Sequence, residues 1–395
     1  MKLLEGITVL DFCQFLSGPS AAMRLGDLGA RVIKIERPGV GDAGRQLTLQ
    51  NLMADGDAVN FQIINRGKQS YAANLKHPAD LERVKKLVAK ADVMISNFRP
   101  GIMARMGLDY ESVKAINPGI VYGTVTGYGT KGPWVEKPGQ DLLAQSMSGV
   151  AFLNGNASDP PVALGLSLAD SITGTHLAQG LLACLVRRTK TGLGGQVEVS
   201  LLESMLDLQF EQFSYYLNND RKLPERSTIG NANDYLGAPY GIYRTKDSYI
   251  AISMGAVSTL GELIGEPELL QYHGAEVAME KRDEIKAIIA RKMLTETTDH
   301  WVELLEGAKY WCGRLYNWKE MVNTDFFTSL NMLTDIRRDR LAAVQRQAPR
   351  RQRHGAACRY GLHDVFTPGE PGGGLRFRLV KQLPQGEGPL RSPLI

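Results

Sequence analysis

The sequence predicts an α/β protein with a large domain built on a mostly parallel sheet, followed by a smaller α+β domain. Strand-like and helix-like segments alternate through residues 1–217, which is typical of βαβ units. A polar stretch over residues 218–233 predicts a linker, and shorter strand and helix patterns then extend the second domain to residue 325. With 43% hydrophobic residues, the chain has enough apolar surface for both cores.

The first βαβ unit lies near the start of the sequence. Residues 7–12 (ITVLDF) predict a buried strand, and residues 17–19 (SGP) predict a turn after it. Small residues then predict a helix that ends at residue 28, before a second strand over residues 31–36. The alternation continues with a helix and two strands, predicted over residues 78–90, 92–96 and 120–126.

A long helix is predicted over residues 167–190. Leu177, Leu181 and Leu185 recur at helical spacing, and Gly192 follows as a residue that commonly ends helices. A strand and a helix over residues 196–216 complete the large domain.

The second domain begins with two predicted strands after the polar linker. These strands cover residues 241–244 and 249–254, and helical patterns extend from there to residue 322. The small size of these elements predicts a domain smaller than the first.

Charge and cysteine content argue against several classes of protein. The net charge of +4 is small for 395 residues and does not favour nucleic-acid binding. The four cysteines are far apart, so neither a zinc site nor a disulfide framework is predicted. No apolar run approaches the ~20 residues of a membrane span, and no signal peptide is recognisable. A cytoplasmic protein without a metal is therefore expected.

A dinucleotide site is disfavoured, although the first strand–helix–strand unit ends in Glu36 as such sites do. The connection over residues 16–29 has no G-x-G-x-x-G sequence, and Pro19 follows the first glycine. The tight turn and the close approach of a pyrophosphate are therefore not encoded. An NAD-dependent oxidoreductase is not expected.

Asp170 is the strongest candidate for chemistry. It lies in the first turn of the predicted long helix, where unpaired N–H groups and the helix dipole favour a negative charge. This position predicts a lowered pKa, and an ionised carboxylate can attack an activated acyl group. The alternative is structural, since Ser167 and Asp170 also match the S-x-x-D pattern of a helix cap.

Asp141 and His176 are weaker candidates. Asp141 follows Gln140 and matches the pattern of a helix N-cap. His176 lies about two turns beyond Asp170, where a single histidine is more often structural than catalytic. No Ser/His/Asp or Cys/His arrangement can be assembled from residues that are close in sequence.

A set of motifs follows in order over about the first 330 residues. It includes LEGITVLDFCQFLSGPSAAMRLGDLGARVIKIERPGVGD, ADVMISNFRPGIMARMGLDY and VALGLSLADSITGTHLAQGLLACL. Each motif alone is weak, but the ordered set resembles the class III CoA-transferase family, which includes CaiB/BaiF proteins, formyl-CoA transferases and α-methylacyl-CoA racemases.

The resemblance implies a Rossmann-like large domain, a small domain, and a chain that forms an open ring interlocked with a second copy in a homodimer. The family's catalytic aspartate corresponds to Asp170, and Gln140 and Asp141 are candidates for the substrate site. Positions that contact CoA in the family carry residues suited to its adenine and phosphates. These residues are Phe15, Arg37, Leu75, Lys76, Asn97, Phe98, Arg105 and Lys137.

The implied reaction moves CoA from an acyl-CoA to a carboxylic acid through an aspartyl mixed anhydride and an aspartyl-CoA thioester. CoA and acyl-CoA are then substrates, and no tightly bound cofactor, nucleic acid or membrane is expected to take part. The first alternative is an acyl-CoA racemase or isomerase. Racemases need a histidine where this chain has Gln140, and glutamine cannot exchange a proton at neutral pH.

Residues 326–395 depart from the family pattern. The resemblance implies that the chain returns to the large domain here, but residues 331–395 are rich in Arg, Gln, Pro and Gly and lack the family's G-x-H-T segment. A non-catalytic CoA-binding relative is therefore the second alternative to a transferase.

Overall fold

The computed structural model describes residues 2–337, 357–358 and 376–380, with side chains described as far as residue 333. Most of the predicted third region, 326–395, lies outside the described residues, and so does most of its Arg/Pro/Gly-rich tail. Among the described helices, none is long and apolar enough to cross a membrane.

Fourteen strands are assigned within the described residues. They are β1 (Thr8–Asp11), β2 (Arg31–Glu36), β3 (Met53–Ala54), β4 (Asp57–Ala58), β5 (Gln69–Ala72), β6 (Val93–Ser96), β7 (Val121–Thr126), β8 (Gly195–Ser200), β9 (Gly241–Arg244), β10 (Tyr249–Ile252), β11 (Cys312–Arg314), β12 (Leu333–Arg337), β13 (Ala357–Cys358) and β14 (Arg376–Val380).

The same residues contain fourteen α-helices and four short 3₁₀ helices. The α-helices are α1 (Ser17–Asp27), α2 (Val59–Ile64), α3 (Pro78–Val88), α4 (Tyr110–Ile116), α5 (Asp141–Met147), α6 (Leu168–Thr191), α7 (Leu201–Leu208), α8 (Phe210–Asn218), α9 (Val257–Ile264), α10 (Ala275–Glu280), α11 (Arg282–Met293), α12 (Thr298–Gly307), α13 (Trp318–Met321) and α14 (Asp325–Ser329). The 3₁₀ helices are Ala43–Gln46, Ala104–Met106, Val150–Phe152 and Pro267–Gln271.

The main sheet confirms the predicted parallel α/β arrangement. Its order is β13-β5-β2-β1-β6-β7-β8, in which the six strands from β5 to β8 pair in parallel and β13 is an antiparallel edge strand. Numbered along the chain, the six parallel strands have the order 3-2-1-4-5-6 of a doubly wound Rossmann sheet. The order reverses between β1 and β6, and ligands bind such sheets at the carboxyl ends of the strands beside that reversal.

Two hydrophobic cores cover the two faces of this sheet. Val9 and Val93 pack with α1 and α6 on one face, while their neighbours Leu10 and Met94 pack with α3 and α4 on the other. All four side chains are fully buried. Adjacent residues of a strand point to opposite faces, so these uninterrupted apolar strands need helices on both sides.

Helices α1 and α6 both begin at the carboxyl edge of the sheet, because each connects two parallel strands. They pack closely at Gly174, where a Cβ would lie 2.7 Å from the carbonyl oxygen of Ser17 and 2.1 Å from Ser20 Oγ. Only glycine allows this approach of the two backbones. Asp170 lies one turn before Gly174, and the packing therefore places it beside the loop that follows β1.

The first turn of α1 corrects one detail of the prediction. Residues 17–19 were expected to form a turn, but they are the first three residues of the helix. Pro19 is compatible with this position because the first N–H groups of a helix have no partner within it. The long helix, by contrast, is confirmed within one residue at each end, and Gly192 ends it.

The described residues divide into two compact units. One contains residues 2–144, 167–208 and those after 330; the other contains residues 145–166 and 209–330. The sequence placed the first boundary at residue 217, whereas the structure places it at 208 and assigns residues 145–166 to the second unit.

The second unit has a three-stranded antiparallel sheet with the order β11-β10-β9. Strand β11 falls within the region predicted as helical, since three residues are too short to show a strand periodicity. The polar stretch 218–233, predicted as a linker, contains no helix or strand after residue 218 but packs onto this unit. Lys286 of α11 is fully buried and donates hydrogen bonds to Ser227 Oγ and the Gly230 carbonyl oxygen.

Candidate active site

A pocket of about 400 Å³ opens at the carboxyl edge of the main sheet. It is lined by the segments that follow β1, β2 and β5, and by residues 98–106 after β6. Phe98, Ile102 and Met106 give it an apolar wall, and Arg37 and Lys76 are exposed residues of its lining. An apolar slot beside two cations suits a ligand that combines an aromatic base with phosphate groups.

The structure brings four of the predicted CoA residues together in this lining: Arg37, Leu75, Lys76 and Phe98. Phe15 lies in the loop after β1 and Asn97 in the loop after β6, but neither residue is part of the lining. Arg105 lies exposed on the 3₁₀ helix between Ile102 and Met106, and Lys137 lies on a different loop.

The loop after β1 is held by Asn97. Its side chain accepts a hydrogen bond from the N–H of Gln14 at 2.8 Å and donates one to the carbonyl oxygen of Gln14 at 2.7 Å. The backbone of Gln14 is thereby fixed, and Gln14 is one of the residues that line the pocket. The next residue, Phe15, is 50% exposed and has φ of +65°, a left-handed conformation that is unfavourable for an aromatic residue.

Charged side chains lie buried beneath the pocket, and sequence reasoning missed them. Lys68 Nζ lies 2.8 Å from Asp11 Oδ2, and Lys34 Nζ lies 3.7 Å from the same atom. Burial raises the pKa of Asp11, but the two ammonium groups lower it further, so the carboxylate is ionised. Burial lowers the pKa of Lys68 to about 8 despite Asp11.

A second buried ion pair supports the loop after β2. Arg45 binds both carboxylate oxygens of Glu36 and also Asp57, each at 2.8 Å. Glu36 occupies the position at which a dinucleotide-binding sheet offers its ribose-binding carboxylate. Here Arg45 and Ser70 already donate hydrogen bonds to that carboxylate.

Asp170 lies in the first turn of α6, as predicted, but the helix start does not have the hydrogen bond of the alternative S-x-x-D cap. The side chain of Ser167 makes no capping hydrogen bond. Instead, Oδ1 of Asp141, 29 residues earlier, accepts a hydrogen bond from the N–H of Asp170 at 3.0 Å. The Asp170 carboxylate itself has no donor or cation within bonding distance among the residues that the structure describes.

The pKa of Asp170 is raised to about 7, whereas the sequence predicted that it would be lowered. Burial is the main cause, and the negative charge of Asp141 adds to it. The favourable effect of the helix terminus is outweighed because Asp141 already occupies the N–H of Asp170. The carboxylate is therefore poised between its two protonation states near neutral pH.

Asp141 is placed by an unusual contact between two glycines. Gly127 follows β7 and Gly139 precedes α5, and a Cβ on Gly139 would lie 2.4 Å from the Cα of Gly127. The two backbones touch, which fixes the position of Asp141 two residues later. Gln140 is exposed next to it.

Residues 128–138 form a loop that this contact closes at its base. Tyr128 and Trp134 pack edge to face with ring centroids 6.1 Å apart, and Lys137 Nζ lies 4.8 Å above the Trp134 ring. The contact with Trp134 gives Lys137 a partner within its own loop.

His176 takes part in a Ser/His/Asp arrangement that only the fold assembles. Its Nδ1 lies 3.1 Å from Ser204 Oγ, and its Nε2 lies 3.2 Å from Asp207 Oδ2, with both partners on α7. Ser204 is only 3% exposed, so it does not present a nucleophile to a substrate. The arrangement joins α6 to α7, in keeping with the structural role predicted for His176.

No group of three or more His, Cys, Asp or Glu side chains that could hold a metal ion occurs in the part of the chain that the structure describes.

Comparisons with known proteins show which family the chain resembles. A family model described as CoA-transferase family III matches residues 4–359. The chain is 34% identical over 327 residues to the succinyl-CoA:glutarate CoA-transferase of Mus musculus. The aligned region covers 81% of this chain and 74% of the mouse protein. It is 34% identical over 337 residues to the acetyl-CoA:oxalate CoA-transferase of Acetobacter aceti, with 83% and 85% covered.

A solved structure shows the same fold. The crystal structure of a CaiB/BaiF family protein from Brucella suis has a TM-score of 0.74 and 31% sequence identity to this chain. The match covers 84% of this chain and 89% of the Brucella protein.

Proposed function

This chain belongs to CoA-transferase family III, and we propose that it transfers CoA from an acyl-CoA to a carboxylic acid through a covalent intermediate on Asp170. One observation carries the assignment to Asp170. Its carboxylate is partly buried and unpaired within the described residues, and α6 begins at the sheet edge where the pocket opens. A carboxylate without a hydrogen-bonding or ionic partner keeps its electron pairs available for attack.

The reaction begins when the Asp170 carboxylate attacks the thioester carbonyl carbon of the acyl-CoA. The C–S bond breaks, the CoA thiolate leaves, and a mixed anhydride joins the acyl group to Asp170. The thiolate then attacks the aspartyl carbonyl carbon, which releases the donor acid as its carboxylate and leaves an aspartyl-CoA thioester. Each step exchanges one activated acyl group for another, so the energy of the thioester is retained.

The acceptor completes the cycle by the same steps in reverse order. Its carboxylate attacks the aspartyl-CoA thioester and displaces the CoA thiolate, which forms a second mixed anhydride. The thiolate attacks the acceptor's acyl carbon, which releases the new acyl-CoA and the free Asp170 carboxylate. Exclusion of water protects the anhydride and the thioester from hydrolysis.

Asp141 positions the nucleophile in this scheme. Its Oδ1 holds the N–H of Asp170, and its charge keeps the pKa of the neighbouring carboxyl high. A carboxylate of higher pKa is the more basic nucleophile once it is ionised.

The acceptor is proposed to be a short dicarboxylic acid. The relatives from Mus musculus and Acetobacter aceti are named for glutarate and oxalate, two acids of this class. Gln140 has an amide in place of the imidazole that a racemase needs, which supports transfer over racemisation.

Trapping with hydroxylamine tests this function. Full-length protein incubated with succinyl-CoA is expected to form an aspartyl hydroxamate, because hydroxylamine attacks both the anhydride and the thioester on the enzyme. Peptide mass spectrometry should locate the modification at Asp170. Exchange of the α-hydrogen with heavy water, without trapping, would indicate a racemase. If neither trapping nor exchange is observed, the chain is a non-catalytic CoA-binding protein.

CoA is proposed to bind in the pocket with its phosphates near Arg37, Lys76 and Arg105, as the lining and the exposed cations suggest. Arg37→Ala is expected to weaken CoA binding by about 1–3 kcal/mol, the usual contribution of a charge-assisted hydrogen bond. Arg105→Ala should have an effect in the same range. Calorimetric titration with CoA measures both.

Lys90→Ala is the matched control for these two variants. Lys90 is also an exposed cation, but it follows α3 at the amino edge of the sheet. Unchanged CoA affinity in Arg37→Ala, or an equal loss of CoA affinity in Lys90→Ala, would contradict the proposal that CoA binds in this pocket.

An interlocked homodimer is proposed as the active assembly. Helix α8 supports it, because no residue of this helix is buried and Phe210, Phe213 and Leu217 leave an apolar stripe exposed. Such a stripe is costly on a chain that stays alone in water.

Interlocked chains cannot separate without opening, so loss of the dimer should coincide with unfolding. Sedimentation equilibrium at micromolar concentration is expected to give twice the chain mass of 43.4 kDa. Phe210→Asp should lower the dimer's melting temperature, whereas Leu3→Asp, at a similarly exposed site, should not. A folded monomer would contradict the proposal.

A further inference from the structure

We propose that Asp42 is a positioning residue for CoA binding, because its carboxylate joins the two loops that line the pocket. The inference rests on the proposed CoA transfer and goes beyond it. Asp42 is neither one of the basic residues proposed to bind phosphate nor the proposed nucleophile. Asp42 is itself part of the pocket lining, but its charge has the wrong sign for direct recognition of phosphates. We therefore assign its effect on CoA to the loops that it holds.

The contacts of Asp42 reach both loops at once. Its Oδ1 accepts hydrogen bonds from the N–H of Phe15 at 3.3 Å and of Gly44 at 2.8 Å. Its own N–H donates to Glu36 Oε1 at 3.0 Å. Its Oδ2 lies 2.9 Å from Lys34 Nζ, so both carboxylate oxygens have neighbours. The residue is 3% exposed, and these bonds are therefore shielded from water.

Lys34 extends the connection to the loop after β1. This lysine is 2% exposed and donates a hydrogen bond of 2.6 Å to the carbonyl oxygen of Cys13. Asp11 accepts a hydrogen bond from the N–H of Cys13 at 2.9 Å, so the peptide groups on both sides of Cys13 are held. Asp42 and Lys34 thus fix the backbone from Cys13 to Phe15, which includes the pocket residue Gln14.

Phe15 is the residue that most needs this support. Its φ of +65° lies in the left-handed region, which an aromatic side chain adopts only where its surroundings impose it. The bond from its N–H to Asp42 acts on that residue directly. Without the bond, Phe15 is expected to return to a negative φ and to displace Gln14 from the pocket wall.

The loop after β2 contains Asp42, whose carboxylate accepts the hydrogen bond from the N–H of Gly44 in the same loop. The N–H of Gly41 donates to the carbonyl oxygen of Arg37 at 2.9 Å, which closes a turn immediately before Asp42. Arg37 and Gly41 both line the pocket. A shift of Asp42 would therefore move a proposed phosphate-binding residue as well as the opposite wall.

Positioning and direct electrostatics make opposite predictions for Asp42. Removal of a negative charge beside an anion site should strengthen CoA binding if the charge acts directly. Loss of the loop contacts should weaken it. The direction of the change in affinity therefore decides between the two effects.

The experiment compares CoA titrations of the full-length wild type, Asp42→Ala and Asp42→Asn. Asp42→Ala is expected to raise the Kd for CoA about tenfold or more, the equivalent of one to two net hydrogen bonds. Asp42→Asn keeps an acceptor oxygen but loses the ion pair, so a smaller increase is expected. With saturating acyl-CoA, kcat should stay within about twofold of wild type while KM rises with Kd.

Asp92→Asn is the matched control. Asp92 also pairs with a partly buried cation, Arg188, at 2.6 Å. It accepts a hydrogen bond from the backbone N–H of Thr8 at 2.8 Å, but it lies at the amino edge of the sheet. Its CoA affinity should stay within about twofold of wild type, even though its melting temperature falls. Melting curves of all variants separate a loss of fold from a loss of binding.

Three results would overturn the inference: wild-type or tighter CoA binding by Asp42→Ala, a fall in kcat with unchanged KM, or an equal loss of affinity in Asp92→Asn. If Asp42→Ala does not fold, Asp42→Asn decides by the same direction of change. A wild type that binds no CoA would overturn the proposed function and this inference together. If the wild type binds CoA and the Asp42 variants bind it with the same affinity, only this inference is overturned.

Discussion

Asp170→Asn is expected to abolish CoA transfer, with a loss of at least about 10³-fold in kcat, while the fold and the CoA affinity survive. Asparagine is nearly isosteric with aspartate but cannot form the anhydride or the thioester. The measurements are the transfer rate from succinyl-CoA to a dicarboxylic acid, CoA titration and the melting temperature. A variant with near wild-type transfer would falsify the assignment of Asp170 as the nucleophile.

The stability of the same variant separates a nucleophile from a structural cap. If Asp170 only capped its helix, Asp170→Asn would be nearly silent, because asparagine caps a helix about as well as aspartate does. Here Asp141, not Asp170, accepts the hydrogen bond at the helix start. The raised pKa of Asp170 means that the folded protein holds its proton more tightly than the unfolded chain does. The stability that this proton provides is complete below pH 4 and is lost as the pH rises through about 7.

Asp170→Asn should therefore melt at a higher temperature than wild type at pH 8 and at a similar temperature at pH 4. Asp170→Ser is a second control, since it also lacks the carboxylate and should be equally inactive. A fall in melting temperature for Asp170→Asn at pH 8 would contradict the raised pKa of Asp170.

The rate of transfer is expected to depend steeply on pH around neutrality. Because attack requires the ionised carboxylate and the pKa of Asp170 is about 7, kcat/KM should rise about tenfold between pH 6 and pH 8. The quantity kcat/KM reports ionisation in the free enzyme, so the midpoint of the rise can be compared with that pKa directly.

Asp141→Asn tests the cause of the shift. The amide oxygen can still accept the N–H of Asp170, but the negative charge that contributes to the raised pKa is gone. The midpoint should move to lower pH, although burial keeps it above the ordinary aspartate value. A flat profile between pH 5.5 and 8, or a midpoint that does not move, would contradict this account of Asp170.

The large-scale fold follows from features that are local in sequence. Apolar strands such as β6 and the leucine spacing of α6 predict the parallel sheet and the long helix, because both patterns arise from the geometry of a single element. The three-residue strand β11 has no such pattern. The packing of the polar stretch around Ser227 depends on Lys286, nearly 60 residues away.

The candidate site was predictable only in part. Asp170 could be placed at a helix start, but its pKa is set by burial and by Asp141, and neither is local to it. Lys34 and Lys68 are charged residues that usually remain exposed, and nothing near them in sequence reveals their burial against Asp11. The one available signal was the position of Lys34 within a predicted strand, where a buried charge needs a partner.

The contact between Gly127 and Gly139 has a consequence for how this enzyme can change. The touching backbones separate residues 128–138 from the helix that carries Asp141, so the length of that loop does not set the distance between the two glycines. Insertions, deletions or complete replacements of the loop can alter its aromatic surface while the contact between Asp141 and Asp170 stays in place. The loop can therefore be replaced by grafting, with the two glycines as the junctions to preserve.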